Sequence, residues 1–287
     1  MSPQEAVVPA AHSGAAAFPC PQSWLLYEGE VPLALSKVAA TGRGWWSVEA
    51  SALEQIHVPA ERLEPVGKSC VGPELADTFP TLVMTDADST LLEGEVIDEL
   101  AELAGVRDEV EAITAAAMRG EIDFSQSLRR RVNLLAGLPA TAIEDVGASL
   151  SLMPGAGDLI IWAHEVGAKF GVVSGGFAEV LGPLADALGI DFLLANRLEV
   201  DGGVLTGRTV GPVVDARAKV DALNTWSGGQ PGLVVAAGDG SNDIAMLRSA
   251  GMGVAFCAKP AVREATSSRL DLRRLDAVVG LLGHSLP

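Results

Sequence analysis

Short apolar runs alternate with helix-spaced apolar stripes along most of the chain beyond residue 80. The runs lie at 81–85, 170–173, 192–194, 233–236 and 253–256. Apolar residues with helical spacing lie between these runs, near 156–166, 177–188, 216–226 and 242–249. A hairpin is expected around 201–203. Buried strands that alternate with helices predict a parallel sheet covered on both faces. The expected class is therefore α/β, with a Rossmann-like sheet.

Four helical segments interrupt this alternation between the first two of these runs. They lie near 95–104, 107–119, 124–136 and 141–149. In the third segment, Leu128, Val132 and Leu135 form one apolar stripe, as on a helix that buries a single face. The pattern predicts a small helical module inserted after the first core strand.

The residues before the first core strand have a weaker pattern. Residues 1–20 are rich in alanine, proline and glycine without periodicity, which favours a flexible tail. Strand-like pieces at 24–27 and 45–48 flank an apolar segment at 31–38, and they predict a small N-terminal α+β element. The predicted division of the chain is 1–78 for this extension and element, 79–92 with 155–287 for the core, and 93–154 for the helical insertion.

The amino-acid composition limits the kind of protein this chain can be and the partners it can bind. Hydrophobic residues make up 48% of the 287 residues but aromatic ones only 5%, as is typical of a globular α/β chain. The formal net charge of −17 would repel polyanions, so neither nucleic acid nor an acidic membrane surface is an expected partner. No apolar run approaches the ~18 residues of a membrane span, and the N-terminal residues lack a signal-peptide pattern.

The three cysteines, Cys20, Cys70 and Cys257, are odd in number and lack the spacing of a metal site. This pattern argues against a disulfide framework and against a zinc site. A reducing, cytoplasmic location is therefore expected.

Polar residues follow directly after several of the predicted core strands. Asp86 and Asp88 follow the first strand, the segment 174–176 (Ser-Gly-Gly) follows the second, and the segment 238–243 (Gly-Asp-Gly-Ser-Asn-Asp) follows a later one. Lys219 lies in a helix between the last two. Ligands of open α/β sheets bind outside the carboxyl ends of the strands. We therefore expect these residues to converge on one site.

The residue types at this site are suited to phosphoryl transfer. Asp86 and Asp88 can face one cavity, and their mutual repulsion then requires a cation or a proton. A hard divalent ion bound by Asp86, Asp239 and the main-chain carbonyl of Asp88 would satisfy that need, with Asp243 orienting the ligands. The Asp86 carboxylate would attack phosphorus, while Asp88 protonates the leaving oxygen and later activates water. Backbone N–H groups and the hydroxyl of 174–176 would hold the phosphate.

Each motif alone also has a simpler explanation. The segment 86–90 fits a helix N-cap or turn, Ser174 fits a plain turn, and Lys219 fits a solvated helical lysine. A calcium-binding EF-hand loop is excluded, because Leu91 and Ile97 occupy the positions of its glycine and its terminal ligand. The sequence contains neither a Walker motif nor a dinucleotide fingerprint.

The order of the motifs is more specific than any one of them. A strand ends in Asp-x-Asp-x-Thr, a second in Ser-Gly, a lysine follows, and a later strand ends in Gly-Asp-Gly-x-Asn-Asp. This order resembles the haloacid dehalogenase-like hydrolases. Over about residues 80–275 the chain also resembles the phosphoserine phosphatases of that superfamily, in the stretches 88–99, 124–132, 173–177, 195–198 and 258–260.

The resemblance implies an enzyme that hydrolyses O-phospho-L-serine to L-serine and phosphate through an aspartyl-phosphate on Asp86, as the last step of serine biosynthesis. It implies Asp88 as acid and base, and magnesium on Asp86, Asp88 and Asp239. It places the phosphate near a further set of residues: Ser174, Gly175, Lys219 and Asn242. The helical insertion would be a cap, in which Glu95 meets the substrate ammonium and Arg131 its carboxylate.

Two alternatives remain at this point. The chain could act on another small phosphorylated metabolite, as a phosphatase or phosphotransferase, or it could be a non-catalytic module that binds metal or phosphate. Arg129 and Arg130, beside Arg131, are expected to face solvent. Ala87 departs from the family pattern, because many members have a larger apolar residue between the two aspartates. Any oligomer is expected to be a homodimer.

Overall fold

The computed structural model describes residues 20–31, 39–55 and 64–287. Within these residues eleven strands form one sheet, in the order β2-β3-β1-β4-β11-β10-β9-β5-β6-β7-β8. The strands are β1 (Trp24–Glu28), β2 (Ala40–Gly42), β3 (Trp45–Glu49), β4 (Gly67–Lys68), β5 (Leu82–Thr85), β6 (Lys169–Phe177), β7 (Phe192–Asp201), β8 (Val204–Val210), β9 (Val234–Gly238), β10 (Met252–Phe256) and β11 (Ser268–Leu270).

The middle of the sheet is parallel and buried on both faces, which confirms the predicted α/β class. Strands β11, β10, β9, β5, β6 and β7 pair in parallel, and every residue of β5, β9 and β10 is buried. Strand β8 closes one end as an antiparallel partner of β7, which is the expected hairpin. Continuous apolar strands are what a sheet covered on both faces requires.

The helices of the described residues are α1 (Ala50–Gln55), α2 (Val96–Ala104), α3 (Arg107–Met118), α4 (Phe124–Leu134), α5 (Thr141–Ser149), α6 (Ala156–Glu165), α7 (Ala178–Leu188), α8 (Ala216–Trp226), α9 (Ile244–Ser249) and α10 (Pro260–Ala265). Helices α2 to α9 occupy the positions that the apolar stripes predict, whereas α1 and α10 were not predicted. Leu128, Val132 and Leu135 are buried as expected. In the described part of the chain, none of these helices is both long and apolar enough to cross a membrane.

Helices α2 to α5 lie between β5 and β6 in the chain, and the β7–β8 hairpin supports them. The N–H of Gly137 donates to the Leu205 carbonyl, and the N–H of Leu205 donates to the Leu138 carbonyl, each at 2.8 Å. Pro139 pairs with Val204 in an isolated bridge. The division into core and cap remains a prediction.

The N-terminal strands continue the core sheet instead of forming a sheet of their own. Strand β4 pairs with β1 on one side and with β11 on the other, antiparallel in both cases. This pairing covers the backbone edge that the three-residue strand β11 would otherwise expose. The expected strands at 24–27 and 45–48 are present as β1 and β3. The expectations for 1–20 and 31–38 fall almost entirely outside the described residues.

The expectation that the chain lacks a disulfide is wrong. Cys20 and Cys70, which are 50 positions apart in the sequence, form a disulfide with Cα atoms 5.4 Å apart. A β-bridge between Gln22 and Val71 brings the two cysteines together. Counting cysteines could not show this proximity, because the bridge joins distant parts of the chain. Cys257 is free.

Asp191 joins the starts of β6 and β7. Its carboxylate accepts hydrogen bonds from Lys169 Nζ (2.7 Å), the Phe170 N–H (2.8 Å) and His164 Nε2 (3.0 Å). Burial alone would raise the pKa of Asp191, but these donors outweigh it and lower the pKa to about 2. A carboxyl group with a depressed pKa in the folded state stabilises the fold above its unfolded pKa of about 3.9. That stabilisation is lost as the pH falls towards 2.

We expect Asp191→Asn to lower the free energy of unfolding by about 1–2 kcal/mol at pH 7 and by roughly half as much at pH 3. Urea titrations at the two pH values measure both differences. Asp186→Asn, at an exposed position on α7, is the control and should change the free energy by less than about 0.5 kcal/mol. An equal loss in the free energy of unfolding at both pH values would contradict the lowered pKa of Asp191.

Candidate active site

The carboxyl ends of β5, β6, β9 and β10 and the inner face of the helical insertion enclose one cavity of about 130 Å³. This is smaller than the roughly 300–1,000 Å³ clefts that hold drug-sized ligands. Its walls combine residues of the core, namely Asp86, Asp88, Gly175, Gly176, Asp239, Gly240, Asn242 and Lys259, with residues of the insertion, namely Glu95, Ile97, Thr114, Met118, Phe124, Leu128 and Arg131. A small polar metabolite fits this space.

Buried charges lie at the floor of the cavity. Lys219 Nζ lies 2.7 Å from Asp86 Oδ2 and 2.6 Å from Asp243 Oδ1, and both Lys219 and Asp243 are fully buried. Burial alone would lower the pKa of Lys219, but Asp243 and Asp86 more than offset it and raise the pKa. The lysine therefore remains a cation. Burial, followed by repulsion from Asp243 and Asp88, raises the pKa of Asp86 well above its usual range despite Lys219.

Three carboxylates at this floor are close enough to share a cation. Asp86, Asp239 and Asp243 each offer one oxygen, and these oxygens lie within 4.8 Å of one another. Burial first, then Asp243 and Glu95, raises the pKa of Asp239 to about 6. Three carboxylates against one lysine leave an excess of negative charge, and carboxylate oxygens are the ligands that hard divalent ions prefer. The residues present therefore fit a metal ion.

Asp86 and Asp239 meet as the sequence predicts, and Asp243 completes the group. The two oxygens of Asp243 already accept hydrogen bonds from Lys219 Nζ and from the Gly240 N–H (2.9 Å). This engagement suits the expected orienting role. The side chain of Asp88, by contrast, does not belong to this group of described carboxylates.

Asp88 instead contacts the helical insertion. Its Oδ1 accepts a hydrogen bond from the N–H of Val96, the first residue of α2, at 2.9 Å. Burial, followed by repulsion from Glu95, raises the pKa of Asp88 to about 7. Such a carboxyl group can both give and accept a proton near neutral pH. Gly176 leaves room for it, because a Cβ at that position would lie 3.0 Å from Asp88 Oδ2.

The segment 174–176 is a bulge within β6, which continues to Phe177, and helix α7 begins directly after the strand at Ala178. The register with β7 passes from Ser174 directly to Phe177, so Gly175 and Gly176 leave the ladder. The Ser174 hydroxyl accepts the Gly176 N–H at 2.8 Å and is fully buried. Gly175 lines the cavity, but Ser174 and Lys219, which the resemblance places at the phosphate, are not among its lining residues. Ser174 thus stabilises the bulge through its hydrogen bond with the Gly176 N–H.

The wall formed by the insertion contains one cationic and one anionic side chain. Arg131, on α4, is half-buried, and its Nε is buried without a hydrogen-bond partner in the described residues. Burial lowers the pKa of Arg131. Glu95, directly before α2, accepts a long hydrogen bond from the Ser89 hydroxyl (3.4 Å). A buried donor left unpaired is costly, so Arg131 is prepared for an anionic ligand. Arg129 and Arg130 are exposed, as expected.

Three further residues belong to the site although sequence reasoning gave them no role. Lys259 and Phe124 line the cavity. Asn196 is buried, donates from Nδ2 to the Gly175 carbonyl (2.8 Å) and accepts the Val214 N–H (2.9 Å), which fixes the bulge. Lys259 follows the end of β10, so the strand-end rule could have found it. An asparagine that ends an apolar run was a signal for Asn196.

Comparisons with known proteins agree with this arrangement. Residues 83–248 match the family model described as haloacid dehalogenase-like hydrolase. The phosphoserine phosphatase of Lactococcus lactis is 52% identical over 201 residues, which are 69% of this chain and 93% of that protein. Phosphoserine phosphatase SerB2 of Mycobacterium tuberculosis is 52% identical over 206 residues, which are 70% of this chain but only 50% of that protein.

Solved structures give the same family. A substrate-bound phosphoserine phosphatase complex has a TM-score of 0.66 and 39% identity, covering 71% of this chain and 98% of that one. The unliganded probable phosphoserine phosphatase from Vibrio cholerae has a TM-score of 0.70 and 30% identity, covering 91% of this chain and 86% of that one. Together with the matched family model and the converging carboxylates, these likenesses establish that the chain belongs to the haloacid dehalogenase-like hydrolases.

Proposed function

We propose that this chain is a magnesium-dependent phosphoserine phosphatase. It would hydrolyse O-phospho-L-serine to L-serine and phosphate through an aspartyl-phosphate on Asp86. The observation that carries the proposal is a small cavity with buried Asp86 at its floor and the unpaired Arg131 Nε in its wall. The phosphatases similar to this chain support the substrate.

In the first step the Asp86 carboxylate attacks phosphorus, and the bond between phosphorus and the serine oxygen breaks. Asp88, whose pKa of about 7 leaves it partly protonated, gives its proton to that oxygen. In the second step Asp88 takes a proton from water, the water oxygen bonds to phosphorus, and the bond from Asp86 to phosphorus breaks. Lys219 keeps a positive charge 2.7 Å from Asp86 throughout.

The metal we propose is Mg²⁺, held by Asp86, Asp239 and the main-chain carbonyl of Asp88. When bound, it would neutralise charge on the phosphoryl oxygens. The N–H group of Gly175, together with Asn242, would bind those oxygens. Lys219 would support the same charge from behind Asp86.

The other end of the substrate would meet the insertion. The Arg131 guanidinium would bind the substrate carboxylate, and Glu95 its ammonium group. Both side chains line the same cavity as the core carboxylates. Closure of the insertion over the substrate would exclude water during transfer.

We expect Arg131→Ala to lower kcat/KM for phosphoserine about 100-fold, because a charge-assisted pair with the substrate carboxylate is lost. Turnover of an aryl phosphate, which has no such carboxylate, should change less than about threefold. Phosphate release measures both. Arg130→Ala is the matched control, since Arg130 is exposed on the same helix. An equal loss on both substrates would favour a different phosphorylated metabolite.

The remaining assignments follow from this function. The partner is a small-molecule substrate, and homodimer formation and cytoplasmic location stay predictions. The disulfide between Cys20 and Cys70 removes the cysteine count as a reason for the cytoplasm. The location proposed here therefore depends on the metabolic role alone.

A further inference from the structure

The two linkers that join the helical insertion to the core, 91–95 and 151–155, lie side by side. One antiparallel bridge and backbone hydrogen bonds of 2.8 and 3.0 Å connect them. Both chain connections of the insertion pass through this pair, so movement of the insertion relative to the core must deform it. The contacts of the linker pair therefore decide how the insertion is held.

A segment near the C-terminus holds the returning linker. The Leu275 N–H donates to the Pro154 carbonyl at 2.8 Å. The Asp276 carboxylate lies directly against Gly155, where a Cβ would collide with it. Gly155 also has a φ of +80°, which favours glycine. The linker is thus fixed at the residue where it enters α6.

Asp276 is held in turn by the N-terminal strands. Trp45 Nε1, in β3, donates to Asp276 Oδ2 at 2.8 Å, and Arg274 Nε donates to Oδ1 at 3.1 Å. Trp45 is 1% exposed and Asp276 is fully buried. A buried hydrogen bond to a charged acceptor is among the stronger ones in proteins. One such bond connects the N-terminal strands to the linker pair.

The outgoing linker, 91–95, leads directly into the residue that contacts Asp88. Val96, the first residue of α2, donates its N–H to Asp88 Oδ1. A shift of the linkers would therefore move that N–H, together with the wall that contains Arg131. We infer that Trp45 and Asp276 are positioning residues, which hold the linkers so that Asp88 and Arg131 face one substrate together. The kinetic part of this inference rests on the proposed function.

Hydrogen exchange tests the inference without any substrate. Trp45→Phe in the full chain removes the indole N–H but keeps an aromatic ring. The amides of Glu93 and Met153, which donate across the linker pair, should then exchange about tenfold faster. Trp46→Phe is the matched control, because Trp46 is equally buried but stacks on Tyr27 at 4.4 Å. Equal protection of the linkers in both variants would overturn the inference.

Kinetics separate positioning from general damage. Trp45→Phe should lower kcat/KM for phosphoserine about tenfold, whereas turnover of an aryl phosphate, which uses Asp88 but not Arg131, should fall about threefold. Asp276→Asn, which keeps an oxygen for the indole N–H, should retain about half of wild-type activity. Equal losses on both substrates would contradict a positioning role. If the unmodified chain releases no phosphate from phosphoserine, the proposed function fails. Hydrogen exchange of the linker amides still tests the inference in that case.

Discussion

Replacing Asp86 by asparagine should reduce turnover at least about 10³-fold without unfolding the protein. Asparagine is a poor nucleophile, so the aspartyl-phosphate cannot form. The fold should tolerate the change, because Lys219 Nζ keeps Asp243 Oδ1 as a buried partner at 2.6 Å.

Phosphate release and thermal unfolding in EDTA test the two halves of this prediction. Asp145→Asn, at an exposed position on α5, is the control and should keep both activity and Tm. A variant at position 86 that retains more than about a tenth of wild-type turnover would contradict a covalent mechanism. A large fall in its Tm would contradict the expectation that Asp243 alone is a sufficient partner for Lys219.

Replacing Lys219 by methionine should have the largest effect on stability. The change keeps most of the side-chain volume but leaves Asp86 and Asp243 buried without their cation. Removing one partner of a buried ion pair typically costs about 3–5 kcal/mol. We expect a loss of that size in the free energy of unfolding at pH 7 in EDTA, measured by urea titration. Turnover should be lost as well, since Lys219 is the buried cation beside Asp86.

Lys169→Met is the matched control. Lys169 also pairs with an aspartate at 2.7 Å, but its side chain is 62% exposed, so the change should cost less than about 1 kcal/mol. The double variant Lys219→Met/Asp243→Asn should recover roughly half of the stability lost on Lys219→Met, because one unpaired charge disappears. Equal costs at the two lysines would show that burial of the cluster is not what makes Lys219 important.

Much of the fold could be predicted from periodicity. The stripes placed α2 to α8 within a few residues, and the apolar runs placed β5, β9 and β10, because single buried faces and doubly buried strands leave clear patterns. Ligands of open α/β sheets bind at the carboxyl ends of the strands, and this rule predicted that Asp86, Asp88 and Asp239 line one cavity. These features depend on local sequence or on a general property of parallel sheets.

The features that sequence reasoning missed depend on contacts between distant residues. The disulfide from Cys20 to Cys70 and the hydrogen bond from Trp45 to Asp276 each join parts of the chain that no local pattern connects. The bulge at 174–176 depends on Asn196, which lies on the neighbouring strand. Periodicity reports which face of an element is buried, but not which residue it meets there.

Phosphate release from O-phospho-L-serine by the full chain, with Mg²⁺ and again after EDTA, tests the central claim most directly. The claim is that Asp86 and Asp239, brought together with a divalent cation, transfer the phosphoryl group of this substrate. We predict release with Mg²⁺, a fall to background in EDTA, and recovery when Mg²⁺ is restored in excess. No release with Mg²⁺, or equal release in EDTA, would contradict the claim.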